Sequence, residues 1–170
     1  RQEKSRVPLR LEALDLREPV AAAAAEMRPL AEAGHALHLH LPPQPVCVPG
    51  DRARLTEVVT SLLDNAVKYS PHGGRIDCRL RMEGERALIT VQDQGLGIAA
   101  EHRSRIFTRF GRIVTAENSH IQGTGLGLYV ARELTRLHRG EITVESESGQ
   151  GSIFTVTLPS ADAVSRRPPC

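Results

Sequence analysis

The sequence predicts an α/β fold: a two-layer sandwich in which one mixed, mostly antiparallel β-sheet is packed on one face by about three α-helices. Three patterns carry this. Residues 51–69, DRARLTEVVTSLLDNAVKY, place Leu55, Val58, Val59, Leu62, Leu63, Ala66 and Val67 on a single face, as a buried amphipathic helix does. Residues 75–82 and 86–92 alternate apolar and polar side chains around the turn Glu83-Gly84-Glu85, which is a hairpin with one dry and one wet face. From Leu126 to His138 a second helical stripe (Gly127, Val130, Ala131, Leu134, Leu137) leads into strands Glu141–Glu145 and Ser152–Leu158 around Ser148-Gly149-Gln150-Gly151.

The remaining elements follow from local chemistry. Residues 1–10, basic and polar with Pro8, read as the frayed end of a connecting segment. Leu11–Leu16 suits a short edge strand. A helix is expected from Pro19, tolerated in a first turn, to Ala33, with Gly34 as its stop and Pro29 crowding its end. Ala36–Leu41 alternates, with Leu37, Leu39 and Leu41 on one face and His38 and His40 on the other, until Pro42, Pro43 and Pro45 close the strand. The two histidines lack a nearby third ligand, so a solvated strand face is preferred over a metal site. Asp51 suits the N-cap of the central helix, and Ser70-Pro71-His72-Gly73-Gly74 ends it. Residues 99–106 suit a short helix, 111–122 form a loop without sustained period, and 160–170 a disordered tail.

Composition narrows the functions. A chain of 170 residues, 40% hydrophobic and 25% charged, is one domain with one core. With 3 Phe, 2 Tyr and no Trp, that core is aliphatic and stacking platforms for nucleic acid are scarce. A net charge of +2 spread along the chain gives no case for nucleic-acid or membrane binding, and leaves small anionic ligands open. Cys47, Cys78 and Cys170 are far apart and in no metal-ligand spacing, which suggests ordinary buried or tail thiols in a reducing, cytoplasmic setting. No segment approaches 18 apolar residues. The start at Arg1, without a signal-peptide pattern, reads as that of an excised fragment and leaves room for a membrane anchor or sensor upstream.

Two placements carry chemistry. Projected at about 100° per residue, Asn65 lies at the edge of the apolar stripe, Ser61 and Lys68 further round, and Asp64 toward water. A half-sheltered amide needs partners, either neighbouring backbone or a ligand or hydrated metal. In the second hairpin strand, Ala87, Ile89 and Val91 share a face with Asp93, so a carboxylate is aimed inward where an unpaired charge is costly. Two glycine-rich stretches remain, Asp93-Gln94-Gly95-Leu96-Gly97-Ile98 and Gly123-Thr124-Gly125-Leu126-Gly127-Leu128. The first also fits a dinucleotide-binding G-x-G-x-x-A, but no second strand ending in an acid follows about 20 residues later. The second precedes a helix, so it is either an anion site built from backbone N–H groups or a plain helix entrance packed on a sheet.

Taken in order, LLDNAVKYS, DQGLGI, IFTRFGR, GTGLGL and GQGSIFTVTLP resemble the N box, first glycine box, F box, second glycine box and closing strand of a known domain. That domain is the ATP-binding catalytic domain of bacterial sensor histidine kinases, in the wider family of gyrase, mismatch-repair ATPases and an ATP-dependent chaperone. The resemblance covers Leu11 to Pro159 and implies ATP and Mg²⁺ as cofactors. It implies that Asp93 accepts a hydrogen bond from the exocyclic amine of adenine, and that Asn65 coordinates Mg²⁺ through its amide oxygen. Lys68 would neutralise phosphate charge and Tyr69 would lie near the adenine. Gly95 and Gly97 would let the backbone skirt the base, Ile98 would supply apolar contact, and Ser152 would help hold it. Residues 111–122 would be an ATP lid, anchored by Phe107 and Phe110, with Arg112 facing the γ-phosphate. Gly123, Thr124, Gly125, Leu126 and Gly127 would flank the phosphates. Asn65, Lys68 and Arg112 thus carry the catalytic assignment. Arg112 as a solvated lid residue, and the phenylalanines as core packers, stay open as alternatives.

Departures from the family pattern sharpen the expectation. Ser61 stands where many histidine kinases have Asn and the hydrolytic branches a Glu base, so efficient ATP hydrolysis is not expected. Arg139 stands where Gly is common before Gly140. None of His35, His38, His40, His72, His102, His120 and His138 sits in a phosphoacceptor motif H-[ED]-x-x-[TN]-P. The expected activity is therefore transfer of the ATP γ-phosphoryl to a histidine on an upstream dimerisation domain of the same, homodimeric protein, for relay to a response regulator. Autophosphorylation of this piece alone is not expected. The alternatives are a non-catalytic ATP-binding regulatory module and an ATPase or serine kinase of the same superfamily.

Overall fold

The computed structural model describes residues 8–31, 34–108 and 127–161. Chain order is β1 (Glu12–Asp15), α1 (Arg17–Ala31), β2 (His35–His40), β3 (Cys47–Gly50), α2 (Arg52–Lys68), β4 (Gly74–Glu83), β5 (Arg86–Asp93), a 3-10 helix (Ala100–Arg105), α3 (Gly127–Leu137), β6 (Glu141–Ser146) and β7 (Ser152–Pro159). Five strands form one sheet in the order β2-β4-β5-β7-β6, parallel between β2 and β4 and antiparallel elsewhere, while β1 and β3 pair separately. Because side chains alternate along a strand, Ile76, Cys78, Leu80, Ala87, Ile89, Val91, Phe154, Val156 and Leu158 share the covered face. The α-helices lie over that face, α2 between α1 and α3, giving the expected two-layer sandwich.

The central helix forms as its stripe predicts. Leu55, Val58, Val59, Leu62, Leu63 and Ala66 are buried, and all belong to one continuous core. Asp51 caps the helix, accepting the Arg54 N–H at 3.2 Å and, through its other oxygen, the Arg10 N–H at 2.9 Å. These bonds, the one from Arg10 first, hold its carboxyl below the ordinary range.

Several boundaries differ from expectation for identifiable reasons. α1 starts at Arg17 rather than Pro19, because Asp15 accepts the Arg17 N–H at 3.1 Å and clamps its guanidinium as well. Pro29 sits within the helix near its end, where few hydrogen bonds remain to be lost. Leu41 falls beyond β2 and is exposed. On α3 the buried stripe is Ala131, Leu134 and Thr135, continued by His138, whereas Leu137 is turned outward. Polar groups occupy the core stripe here because each is paired. Thr135 donates its hydroxyl to the Ala131 carbonyl at 2.7 Å. His138 donates from Nδ1 to the Leu134 carbonyl at 2.8 Å and accepts the Asp51 N–H on Nε2 at 3.1 Å. This tautomer is neutral, and burial pushes the imidazole pKa down. Cys78 is a buried thiol pushed up to about 12, hence inert, but Cys47 is disulfide-bonded, which corrects its reading as a free thiol. Among the described residues, no helix is long and apolar enough to cross a membrane.

α3 ends in a six-residue wrap, with Gly140 N–H on the Thr135 carbonyl and Arg139 N–H on the Arg136 carbonyl, both at 2.9 Å. That wrap puts Arg139 at φ 64°, the left-handed region that favours glycine. Arg139→Gly is therefore expected to stabilise the fold by ~1 kcal/mol, raising the melting temperature by ~2–4 °C in a circular-dichroism melt at neutral pH.

Candidate functional site

The site is built where three main-chain segments touch: the C-terminal end of α2, the turn Asp93–Ile98, and the β6–β7 hairpin. Leu96 donates its N–H to the Tyr69 carbonyl at 3.0 Å and accepts the Gly149 N–H at 2.6 Å. Such proximity leaves no room for side chains. A Cβ at Gly95 would lie 2.1 Å from the Tyr69 carbonyl oxygen, one at Gly97 1.9 Å from that of Glu147, and one at Gly151 2.2 Å from that of Asp93. Gly97 and Gly151 also adopt φ 71° and 81°. Gly95 and Gly97 are thus required by backbone packing before any ligand is considered.

This clasp closes over Asp93, which ends β5 and is 5% exposed. Its Oδ1 accepts the Gly95 N–H at 2.9 Å, and the Ser152 N–H also donates to the carboxylate. No ion pair reaches it among the described residues. Burial pushes its pKa up to about 6, against the two hydrogen bonds that pull it down. At neutral pH Asp93 is an ionised, sheltered acceptor with unused capacity.

Ser152 is its cross-strand partner, and Ser146 pairs with Ser152 in turn, so the three side chains form a row on the covered face. Ser146 is a residue the sequence reading missed. Its hydroxyl accepts the Ile98 N–H at 2.7 Å, donates to the Gly151 carbonyl at 2.8 Å, and lies 2.9 Å from the Ser152 hydroxyl. Its one sequence signal is that Ser146 and Ser152 flank the hairpin turn symmetrically. Arg103 of the 3-10 helix donates to the Ser146 carbonyl. Ile98 is half-buried and packs against the core, as do Ile106 and Leu128.

α2 supplies the opposite side. Tyr69, half-buried, is the C-cap, its N–H on the Asn65 carbonyl at 3.0 Å. The Asn65 side chain, one turn earlier and half-buried, has no hydrogen-bond partner among the described residues, so the neighbouring backbone does not satisfy it. An amide oxygen that no described protein group engages, at the edge of a core, suits a hard, hydrated cation. Lys68 is not free: its ammonium sits 3.0 Å from Asp64, which is therefore paired rather than merely solvated. Phe107 is a core packer, edge-on to Phe154 with centroids 6.0 Å apart, and the Arg132 guanidinium lies 5.7 Å from its ring. Gly127 opens α3, and a Cβ there would meet nothing within 4 Å among the described residues, so their packing does not demand this glycine. Phe110, Arg112, Gly123, Thr124, Gly125, Leu126 and the loop 111–122 lie outside the described residues.

A cavity of ≈ 370 Å³ opens on this cluster: Asp93, Arg103, Ser146, Gly151 and Ser152 line it together with Gln92, Glu145, Glu147, Gln150 and Ile153, and no residue of α2 does. Register places Gln92, Glu145 and Ile153 on the uncovered face of the sheet. On the same face His40 Nε2 meets Asp77 at 2.8 Å, with Arg75 on that carboxylate too, and no cluster of three His, Cys, Asp or Glu exists among the described residues.

Residues 50–162 match the family of histidine kinase-, DNA gyrase B- and HSP90-like ATPases, and the chain belongs to it. Its relatives place it in the histidine kinase branch, as a catalytic ATP-binding domain. Sensor histidine kinase RppB of Synechocystis is 44% identical over 110 residues, which are 65% of this chain and 24% of that protein. WalK of Bacillus subtilis is 37% identical over 122 residues, 71% of this chain and 20% of the relative. The chain thus spans about a quarter or less of these relatives. The mycobacterial sensor histidine kinase MprB superposes with TM-score 0.75 at 28% identity, covering 88% of this chain and 97% of that one. Full-length ShkA in complex with AMPPNP superposes with TM-score 0.76 at 29% identity, covering 91% of this chain and 32% of that one.

A buried carboxylate with a raised pKa destabilises the ligand-free fold above about pH 6, where it must ionise, and not below 3.8, where it is protonated in both folded and unfolded chains. Asn at this position keeps an acceptor and removes the charge. Asp93→Asn is therefore expected to raise ligand-free stability by ~2–3 kcal/mol at pH 7.5, an advantage that disappears at pH 4, as read by urea unfolding at the two pH values.

Proposed function

We propose that this chain binds Mg·ATP and donates the γ-phosphoryl to a histidine on a dimerisation domain outside these residues, as the catalytic part of a two-component sensor kinase. Residues 11–159 form the nucleotide-binding unit, between the end of a linker (1–10) and a tail (160–170). The observation that carries the reading is Asp93: ionised, buried, without a counter-charge among the described residues, and closed over by the glycine turn. An acceptor of that kind selects the exocyclic amine of adenine, since a guanine carbonyl at the same place would meet a carboxylate with no proton between them. Ile98 and Tyr69 would flank the base, and Ser152 would hold it with Asp93.

Asn65 would hold Mg²⁺ through its amide oxygen. The ion, when bound, supplies positive charge that offsets the phosphates. Lys68 adds a point charge, and its ammonium has donors enough to keep Asp64 while reaching phosphate. Arg112 and residues 123–127 are assigned to the phosphate side, where a cation and open backbone N–H groups favour the charge-spread transition state. Ser61 is half-buried and cannot deprotonate water at neutral pH, which favours transfer to a protein nucleophile over hydrolysis. A response regulator as final acceptor, and a homodimeric whole protein, complete the proposal.

Calorimetric titration should show saturable binding of Mg·ATP in preference to Mg·GTP, weakened ~100-fold in Asp93→Asn. Wild-type affinity should fall as pH drops through about 6, because the acceptor becomes protonated. Equal binding of GTP, or an unaffected variant, contradicts the base assignment. Incubation with γ-labelled ATP and a phosphoacceptor domain added in trans should then give acid-labile, alkali-stable label on histidine; no label would leave a regulatory ATP-binding module as the reading.

A further inference from the structure

We propose that Ser146 acts as a positioning residue for base selection, by fixing the Ser152 hydroxyl as a hydrogen-bond acceptor toward the purine; the inference rests on the ATP reading above. Around Ser146 Oγ lie the Ile98 N–H at 2.7 Å, the Gly151 carbonyl at 2.8 Å and the Ser152 hydroxyl at 2.9 Å. An amide N–H can only donate and a carbonyl can only accept, whereas the Ser152 hydroxyl can do either. Ser146 has one proton. The arrangement that leaves no buried group unpaired sends that proton to the Gly151 carbonyl, so Ser146 accepts from both Ile98 and Ser152.

Ser152 thereby spends its proton on Ser146, and only lone pairs remain on its oxygen. Because Ser152 stands opposite Asp93 in register and both are buried, the two side chains share a face. Together they offer a carboxylate and a hydroxyl oxygen, two acceptors and no donor. A 6-amino purine has two N–H bonds to give and fits this pair. A 6-keto purine offers a carbonyl, which needs a donor that Ser152 cannot supply while Ser146 holds its proton. Ser146 touches no ligand in this scheme and acts through Ser152.

The test compares ATP with inosine triphosphate, which carries a 6-keto group, by calorimetry in the presence of Mg²⁺. Ser146→Ala frees the Ser152 hydroxyl to rotate and donate, so the ATP/ITP affinity ratio is expected to narrow about tenfold. Ser146→Thr keeps the hydroxyl and should retain the wild-type ratio. If Ser146→Ala does not fold, Ser152→Ala decides: it should weaken ATP and leave ITP unchanged. A Ser146→Ala protein that weakens both nucleotides equally, or a Ser152→Ala protein that loses ITP, overturns the assignment while the ATP reading stands. A wild-type chain that does not prefer ATP to ITP overturns both.

Discussion

The contact on which the site depends is backbone against backbone. The turn Asp93–Ile98 is held between the Tyr69 carbonyl at the end of α2 and the β6–β7 hairpin, and that sandwiching is possible only because Gly95, Gly97 and Gly151 lack side chains. The core makes the geometry available: α2 lies across the covered face of β5, so its last turn arrives beside the end of that strand. Burial of Asp93 is a consequence of this approach rather than of its own preference. One added methyl group at Gly97 would push the hairpin off the turn and let water reach the carboxylate.

Charge is distributed accordingly. Asp15 keeps a lowered pKa against partial burial through hydrogen bonds from Arg17 and Val46, Asp51 through the Arg10 and Arg54 amides, and Asp77 through Arg75 and His40. Asp93 alone among the shifted carboxylates of the described residues moves upward, to about 6. Three carboxylates serve the fold, and the fourth is maintained at its expense. A group held at such a cost in a water-poor site suits recognition of a ligand that relieves the cost. His138, at the far end of α2, shows the opposite use of burial: its neutral tautomer ties α3 to the Asp51 cap and leaves nothing to bind.

How much of this was legible depends on how local each cause is. The stripe of α2, the inward face of Asp93 and the glycine turn follow from periodicity over a few residues, and they were readable. The role of Ser146 was not, because it depends on the register of β6 with β7 and on the return of Ile98 from 48 positions away. The stripe read from the sequence ends on Leu137 and does not contain His138, whose burial depends on a partner, the Asp51 N–H, 87 positions distant. Asp64 read as solvated because helical projection places a side chain on a face without saying that Lys68, one turn on, will pair with it.

The most direct test is the titration of Asp93 itself, followed by carboxyl carbon chemical shifts with and without Mg·ATP. The account predicts a midpoint of about 6 in the ligand-free chain, falling well below that when ATP is bound, since the amine donor favours the ionised form. A midpoint in the ordinary aspartate range in the ligand-free chain, or one that ATP does not move, would contradict the claim that this carboxylate is kept charged and buried to receive adenine.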